Sequence, residues 1–355
     1  MKFSLWANLY PSSAAPHYGT FVRAAYLAWE QILGAEHTNR CVIDRPASSS
    51  IGKLQRYSWL YFRCLRDALI RRPQLVEVHY PFFFIPLLFL LPRSGIILRF
   101  HGSDLEKLLD SRLMMHAFRV AAPRLLCIVV PSCYYQRRIV EELRFTGRVL
   151  VIAPDAVSDF FYPRSELAIS DGDFIVGVVG RLKEDKNYQE VIEALALLDD
   201  DRIRLLIVGG GPYRQALIEL ARKRGVDGQV EWVGPVARDT LVHHLHKMSV
   251  FVFSSKRTAE SFGLVCLEAL ACGVPVVARS SLQGAREYLD NGNALFYADS
   301  AFALAKALRE YLDLPESKKA MMSRNALQVA SQFNYDDVVL GGVERLLDLH
   351  AKAHS

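Results

Sequence analysis

Two glutamates, Glu260 and Glu268, stand eight residues apart in the stretch AESFGLVCLEALACGVPVVA, residues 259–278. From Phe262 to Ala278, Glu268 is the only charged residue. A carboxylate buried without donors costs several kcal/mol. A helix expected to begin near Gly263 puts Leu264, Leu267, Glu268 and Ala271 on one stripe. Glu268 then falls on an otherwise apolar face and needs donors, which ribose hydroxyls could supply. Glu260, on the loop before the helix, is placed to hold sugar hydroxyls. The free N–H groups at the start of that helix suit phosphate or sugar oxygens.

A second chemical stretch is VGRLKEDKN, residues 179–187. Two cations, Arg181 and Lys186, on a loop after a buried strand suit a diphosphate, which takes charge-assisted hydrogen bonds. Read alone, a solvated basic loop explains the same residues. A third stretch, IVGGGPYRQAL at 207–217, follows a strand and opens a helix, with Glu231 further on. This is the layout of a dinucleotide fingerprint, but Arg214 stands where its third glycine belongs, which weakens a dehydrogenase reading. Gly209 and Gly211 then serve either a tight turn or a close approach to a nucleotide.

The elements that must position these residues repeat one plan. Short runs rich in Val, Ile, Leu and Phe predict strands at 2–7, 40–43, 74–79, 96–100, 125–130 and 149–152. After a break over 155–173, further strands are predicted at 174–180, 204–208, 230–233, 250–253 and 274–278. Helical stretches, such as 20–33 and 54–70, alternate with them. Strands alternating with helices imply parallel sheets covered on both faces. The 355 residues are enough for about two domains. The fold class expected is therefore α/β, two Rossmann-like doubly wound domains facing across a cleft. The boundaries expected are 1–165 for the first domain and 166–334 for the second. Residues 335–355 read as a helix with Val339, Val343, Leu346 and Leu347 on one face. It packs on one of the two domains, a crossing back to the first being one outcome. In such sheets ligands bind beyond the carboxyl ends of the strands, where His101, Arg181, Gly209–Gly211 and Glu260 fall.

Composition narrows the class. The chain is 51% hydrophobic and 23% charged, which fits a globular protein with real cores. None of the six cysteines forms a C-x-x-C pair, so no zinc or redox motif is indicated, and reduced thiols in a cytoplasmic protein are expected. The first residues show no signal-peptide pattern. The run YPFFFIPLLFLLP, residues 80–92, is too short to span a bilayer and is read as a core segment. Net charge is divided: residues 1–165 carry +9 and the remainder −4. A basic first half suggests an anionic partner. No basic-aromatic strand motif or helix-turn-helix points to nucleic acid.

Taken together, the motifs resemble those of retaining GT-B glycosyltransferases, family 4 of that class. Glu260 and Glu268 match its E-x7-E signature, and Phe262-Gly263 its aromatic–glycine step. Arg181 and Lys186 match its diphosphate loop. IVGGGP, VEWVGPV and FSSKRTAESFG follow in the family's order. FHGSDL resembles its His-Gly segment at His101, Gly102 and Asp104, and HYGTFV its first glycine loop at Gly19. The likeness covers nearly the whole chain. It departs at Asp155-Ala156, where the family often has Asn-Gly, and at Tyr18, where a second glycine is common.

The resemblance implies that Glu268 binds ribose and that Glu260, with the backbone at Phe262, Gly263 and Leu264, holds the donor sugar. It implies that Arg181 and Lys186 neutralise the departing diphosphate and that His101 touches the sugar near the reacting carbon. It implies no metal and no cofactor beyond a nucleotide-diphosphate sugar as donor. Two rivals share this fold: a nucleotide-sugar epimerase and a non-catalytic binder of sugar nucleotides. Release of free nucleotide only in the presence of an acceptor separates transfer from both.

The stretch KLQRYSWLYFRCLRDALIRRP, residues 53–73, reads as a basic amphipathic helix. Leu54, Tyr61, Leu65 and Ala68 are expected on its apolar face. Lys53, Arg56, Arg63 and Arg66 gather opposite, with Trp59 and Ile70 among them. This composition suits an anionic lipid surface, and equally an ordinary solvated helix. The expected acceptor is lipid-linked or polysaccharide-type, at the inner face of the cytoplasmic membrane.

Overall fold

The computed structural model describes residues 1–13, 15, 18–45, 49–164, 174–257, 260 and 262–354. The chain divides into two compact units. The first comprises Met1–Ala156 with Tyr335–Ser355, the second Val157–Asn334.

The first unit holds a six-stranded sheet of β1 (Phe3–Ala7), β2 (Arg40–Val42), β3 (Leu75–His79), β4 (Ile96–Arg99), β5 (Leu125–Val130) and β6 (Val149–Val151). The strand order is β2-β1-β3-β4-β5-β6, and every pairing is parallel. Parallel strands need a crossover between neighbours, and the crossovers here are largely helical. Side chains alternate across the sheet. Trp6, Val76, Val78, Ile96 and Leu98 enter the core on one face. Phe3, Leu5, Leu75, Ile97 and Leu126 enter the core on the other. Two covered faces are why these strands read as continuous apolar runs.

The second unit has β7 (Phe174–Val179), β8 (Ile203–Val208), β9 (Val230–Gly234), β10 (Val250–Phe253), β11 (Val276–Arg279) and β12 (Ala294–Tyr297). Their order is β12-β11-β10-β7-β8-β9, all parallel. The order reverses where β7 lies beside β10. β12 is an addition to the sequence reading: its four residues lie between polar turns, too few to show a period.

One expectation is corrected. The unit boundary falls at Ala156/Val157, not at 165/166. The Val157 N–H donates to the Phe333 carbonyl at 2.8 Å, and Arg164 Nη1 to the Met248 carbonyl at 3.4 Å, which tie the segment before 165 to the second unit. The closing helix, Gly341–His354, packs Val343, Leu346 and Leu349 with Val22, Ala25 and Trp29 in the first unit.

The basic helix runs Ser50–Arg66, capped by the Ser49 side chain, and continues as a π-helical turn over Asp67–Arg71. Its buried face is Leu60, Cys64, Asp67 and Ala68, not the stripe through Leu54, which is 70% exposed. The run over 80–92 is a core segment of two 3-10 turns, with Phe84, Ile85, Leu88 and Leu91 buried. Among the described residues, no helix is long and apolar enough to cross a membrane. Five cysteines are buried and free, and Cys133 is exposed. The cores of both units therefore leave a defined set of polar groups at the strand ends.

Candidate active site

In the second unit, β7 and β10 are the strands between which the sheet reverses direction, the place where open α/β sheets leave a crevice. The loop after β7 carries Arg181 and Lys186. The loop after β10 carries Ser254, Ser255 and Glu260. The geometry joins them. Lys186 Nζ donates to Glu260 Oε2 at 2.5 Å, and Ser255 Oγ donates to the same oxygen at 3.2 Å. Ser254 Oγ donates to the Lys186 carbonyl at 2.9 Å, and the Lys256 N–H to the Asp185 carbonyl at 2.9 Å. The two loops are thus tied by backbone and side chain together. Lys186 and Glu260 are about four-fifths buried, with side-chain exposures of 23% and 17%. Arg181 is exposed and has no ion-pair partner among the described residues.

The glycines after β8 serve close backbone approach. A Cβ at Gly209 would lie 1.9 Å from the Gly180 carbonyl oxygen, and one at Gly211 would lie 2.3 Å from that of Leu182. Side chains there would push the Arg181 loop off its position.

Glu268 lies on the helix Leu264–Ala271 and is 8% exposed. The donors it needs include one from the protein itself. Arg238, at the start of the helix Arg238–Lys247, donates from Nε at 3.0 Å, and its Nη2 lies 2.9 Å from the same Oε1. Arg238 also stands over the Phe161 ring. The protein itself compensates this carboxylate's charge. Arg238 gave no sequence signal, because the pairing spans 30 residues and two elements.

Gly263 precedes that helix with φ of 77°, a left-handed conformation. A Cβ there would lie 2.7 Å from Phe253 Cζ. The Tyr288 hydroxyl bonds the carbonyls of Phe262 at 2.5 Å and Gly263 at 3.0 Å, fixing the turn. Phe262 is buried against Tyr288 and Phe333. Leu264 opens the first helical turn, whose N–H groups have no carbonyl partner in the helix. Gly263→Ala should destabilise the second unit by about 2 kcal/mol or more, from backbone strain plus overpacking. Denaturant unfolding checks this; an unchanged midpoint would contradict the turn's requirement for glycine.

The first unit brings together a buried polar chain at the carboxyl ends of β3 and β4. Arg99 Nε donates to Glu77 Oε1 at 2.5 Å, and Trp29 Nε1 to Glu77 Oε2 at 2.6 Å. His79 Nε2 stands 3.5 Å from Glu77 Oε1, and His79 Nδ1 lies 3.0 Å from His101 Nε2. The His101 N–H donates to Asp104 Oδ1 at 2.9 Å. Rings of Tyr80 and Phe21 cover the His101 imidazole. Gly19, on the loop after β1, precedes the helix Thr20–Leu33 that carries Phe21.

Burial alone would raise the Glu77 carboxyl; Arg99, His79 and Trp29 outweigh it and hold it well below the carboxylate range. Burial, then His79 and Arg99, holds His101 well below its usual value, so its imidazole is neutral. Burial lifts Asp104 to about 7 against several backbone N–H donors.

These charges select a tautomer. An ionised carboxylate facing His79 Nε2 favours the proton there, even at 3.5 Å. His79 Nδ1 then accepts from His101 Nε2–H, and His101 Nδ1 is left as an acceptor. His79→Asn should shift the His101 imidazole 15N resonances toward a tautomer mixture; an unchanged spectrum would show that His79 does not set the proton. His79 and Glu77 were invisible in the sequence, where they read as ordinary members of a strand.

The two sheets and their order define the GT-B fold. The structure superposes on sucrose-phosphate synthase from Thermosynechococcus elongatus with a TM-score of 0.76, at 17% identity, over 99% of this chain and 100% of that one. It superposes on Anabaena Alr3699/HepE in complex with UDP with a TM-score of 0.72, at 19% identity, over 98% and 100%. Residues 163–329 match the family described as Glycosyl transferases group 1. An alpha-monoglucosyldiacylglycerol synthase of Streptococcus pneumoniae is 30% identical over 179 residues, 48% of this chain and 38% of that protein. A D-inositol 3-phosphate glycosyltransferase of Gordonia bronchialis is 34% identical over 216 residues, 54% of this chain and 45% of that protein. The chain spans less than half the length of these two relatives.

Proposed function

We propose that this protein is a glycosyltransferase that takes a nucleotide-diphosphate sugar as donor and transfers the sugar with retention to a lipid-linked or polysaccharide-type acceptor. The observation that carries the reading is the joined pair Lys186–Glu260 at the reversal point of the second sheet, beside the N-terminus of the helix Leu264–Ala271. Lys186 and Arg181 would hold the diphosphate as it departs, which is electrostatic stabilisation without a metal. Diphosphate arrival would draw Lys186 toward phosphate and release Glu260 to accept sugar hydroxyls, with Ser255 still on its Oε2. The N–H groups at Gly263 and Leu264 would take sugar or phosphate oxygens. Glu268, oriented by Arg238, would accept from ribose. His101 would accept from a substrate hydroxyl at Nδ1. The Alr3699/HepE complex with UDP supports a sugar-nucleotide donor, and the names of the two relatives support sugar transfer.

Association with the cytoplasmic face of a membrane is part of the proposal. The helix Ser50–Arg66 and the turn after it expose Ile51, Leu54, Trp59, Phe62, Leu69 and Ile70 alongside the exposed Lys53 and Arg66. Basic residues mixed with exposed aromatics suit an anionic bilayer surface.

Thermal unfolding with UDP, GDP, ADP and TDP tests the donor reading. A nucleotide at 100 times its dissociation constant adds about 2.7 kcal/mol. One nucleotide should raise the melting temperature selectively, and Glu268→Ala should blunt the rise. No response to any of the four would count against a nucleotide-sugar donor.

A further inference from the structure

A cavity of about 240 Å³ opens at the amino-terminal edge of the first sheet, lined by Asn39, Arg63, Arg66, Asp67, Ile70 and Arg71 among others. Asn39 precedes β2, and Arg71 donates to the carbonyl of Phe3, the first residue of β1. This is the edge opposite the carboxyl ends of the strands, so the cavity is not the reaction site of that sheet.

Its charge is unbalanced. Three guanidiniums converge and one carboxylate lines the space. That carboxylate is already committed: Asp67 accepts from Ser4 Oγ at 3.0 Å, Trp6 Nε1 at 2.9 Å and Asn39 Nδ2 at 2.8 Å. Arg71 stands 4.0 Å from it and spends its Nη groups on the Phe3 and His37 carbonyls and Ser4 Oγ. Arg63 uses Nη2 on the Arg40 carbonyl at 2.7 Å. Arg66 is exposed with no hydrogen-bond or ion-pair partner among the described residues. Carbonyls orient two of these cations without neutralising them, and unused N–H donors remain on Arg63 and Arg66. Planar guanidiniums with spare donors around a small concavity are the arrangement that binds phosphate oxygens.

We propose that this cavity binds a phosphate or phosphodiester group, with Arg63 and Arg66 as direct donors and Arg71 as a fixed background charge. The rim favours a phospholipid headgroup as the source. Ile70 is 74% exposed, and on the same helix Trp59 and Phe62 stack at 5.4 Å while exposed to 62% and 53%. A bilayer would receive these side chains while a headgroup phosphate entered the cavity. For that source the inference rests on the membrane part of the proposed function and is independent of the donor site.

The test compares the full chain with Arg63→Gln/Arg66→Gln and with a charge-matched control, Arg222→Gln/Lys223→Gln, on an exposed part of the helix Arg214–Arg224. One arm measures partition onto phosphatidylglycerol-containing vesicles against pure phosphatidylcholine. The other measures calorimetric binding of inorganic phosphate. The cavity variant should lose about 30-fold in anionic-vesicle partition, about two cationic contacts, while the control stays near wild type. Phosphate binding lost in the cavity variant, with no vesicle binding by any protein, would support the site and assign it a soluble phosphate ester. Equal behaviour of wild type and cavity variant in both arms would overturn the proposal, and nucleotide-induced stabilisation in the same samples keeps that result separate from the donor reading.

Discussion

Lys186→Ala should lower kcat/KM for sugar transfer by about 100- to 1000-fold, the usual cost of removing a group aimed at charge that develops in the transition state. Glu260 holds the Lys186 ammonium and Ser254 holds the Lys186 backbone carbonyl, so the ammonium is pre-positioned rather than recruited from solvent. The same variant should lose most of the stabilisation by a nucleoside diphosphate and less of that by the monophosphate, because the ammonium is proposed to hold the diphosphate. Glu260→Ala should behave differently, with diphosphate binding retained or strengthened and turnover reduced. Nucleotide thermal shifts and steady-state nucleotide release, measured together, separate the two. Wild-type turnover in Lys186→Ala would remove the electrostatic role assigned to it. The contrast is expected because Lys186 and Glu260 are paired with each other, so removing one frees the other.

Glu77→Gln carries the largest expected effect on stability. Arg99 is 5% exposed, and Glu77 is fully buried. Removing the carboxylate charge leaves a buried guanidinium uncompensated, at a cost of about 3–5 kcal/mol. Denaturant unfolding of the first unit checks it, and a loss under about 1 kcal/mol would show that water reaches Arg99. Replacing both members, as Glu77→Leu with Arg99→Met, should recover most of the loss, since the pair's desolvation disappears with its attraction. The pH dependence has a definite sign. The folded Glu77 is held below its unfolded value, so its contribution is complete above the ordinary carboxylate range. It is lost as pH falls through the depressed folded value, well into acid. The Gln variant should lack this acid-side slope.

Much of the architecture was legible in the chain. Eleven strands were read from apolar runs because parallel sheets are covered on both faces. β12 escaped because four residues between turns carry no period. The basic helix was found, but its buried face was misplaced. The apolar stripe through Leu54 reads as the buried face, yet the buried face runs through Asp67, to which Ser4, Trp6 and Asn39 supply donors. A polar residue that is satisfied from distant strands defeats a pattern read only from hydrophobicity.

By itself the sequence determined the two-sheet α/β plan and the loops that end at Arg181, Lys186, Glu260 and Gly263. Local alternation, glycine placement and charge are properties of neighbouring residues, so they survive without a fold. Only the tertiary structure decided which charges meet. Lys186 finds Glu260 across 74 positions, Glu268 finds Arg238 across 30, and His79 finds His101 across 22. A buried ion's cost is settled by whichever partner the fold brings within about 3 Å, and no spacing along the chain encodes that distance.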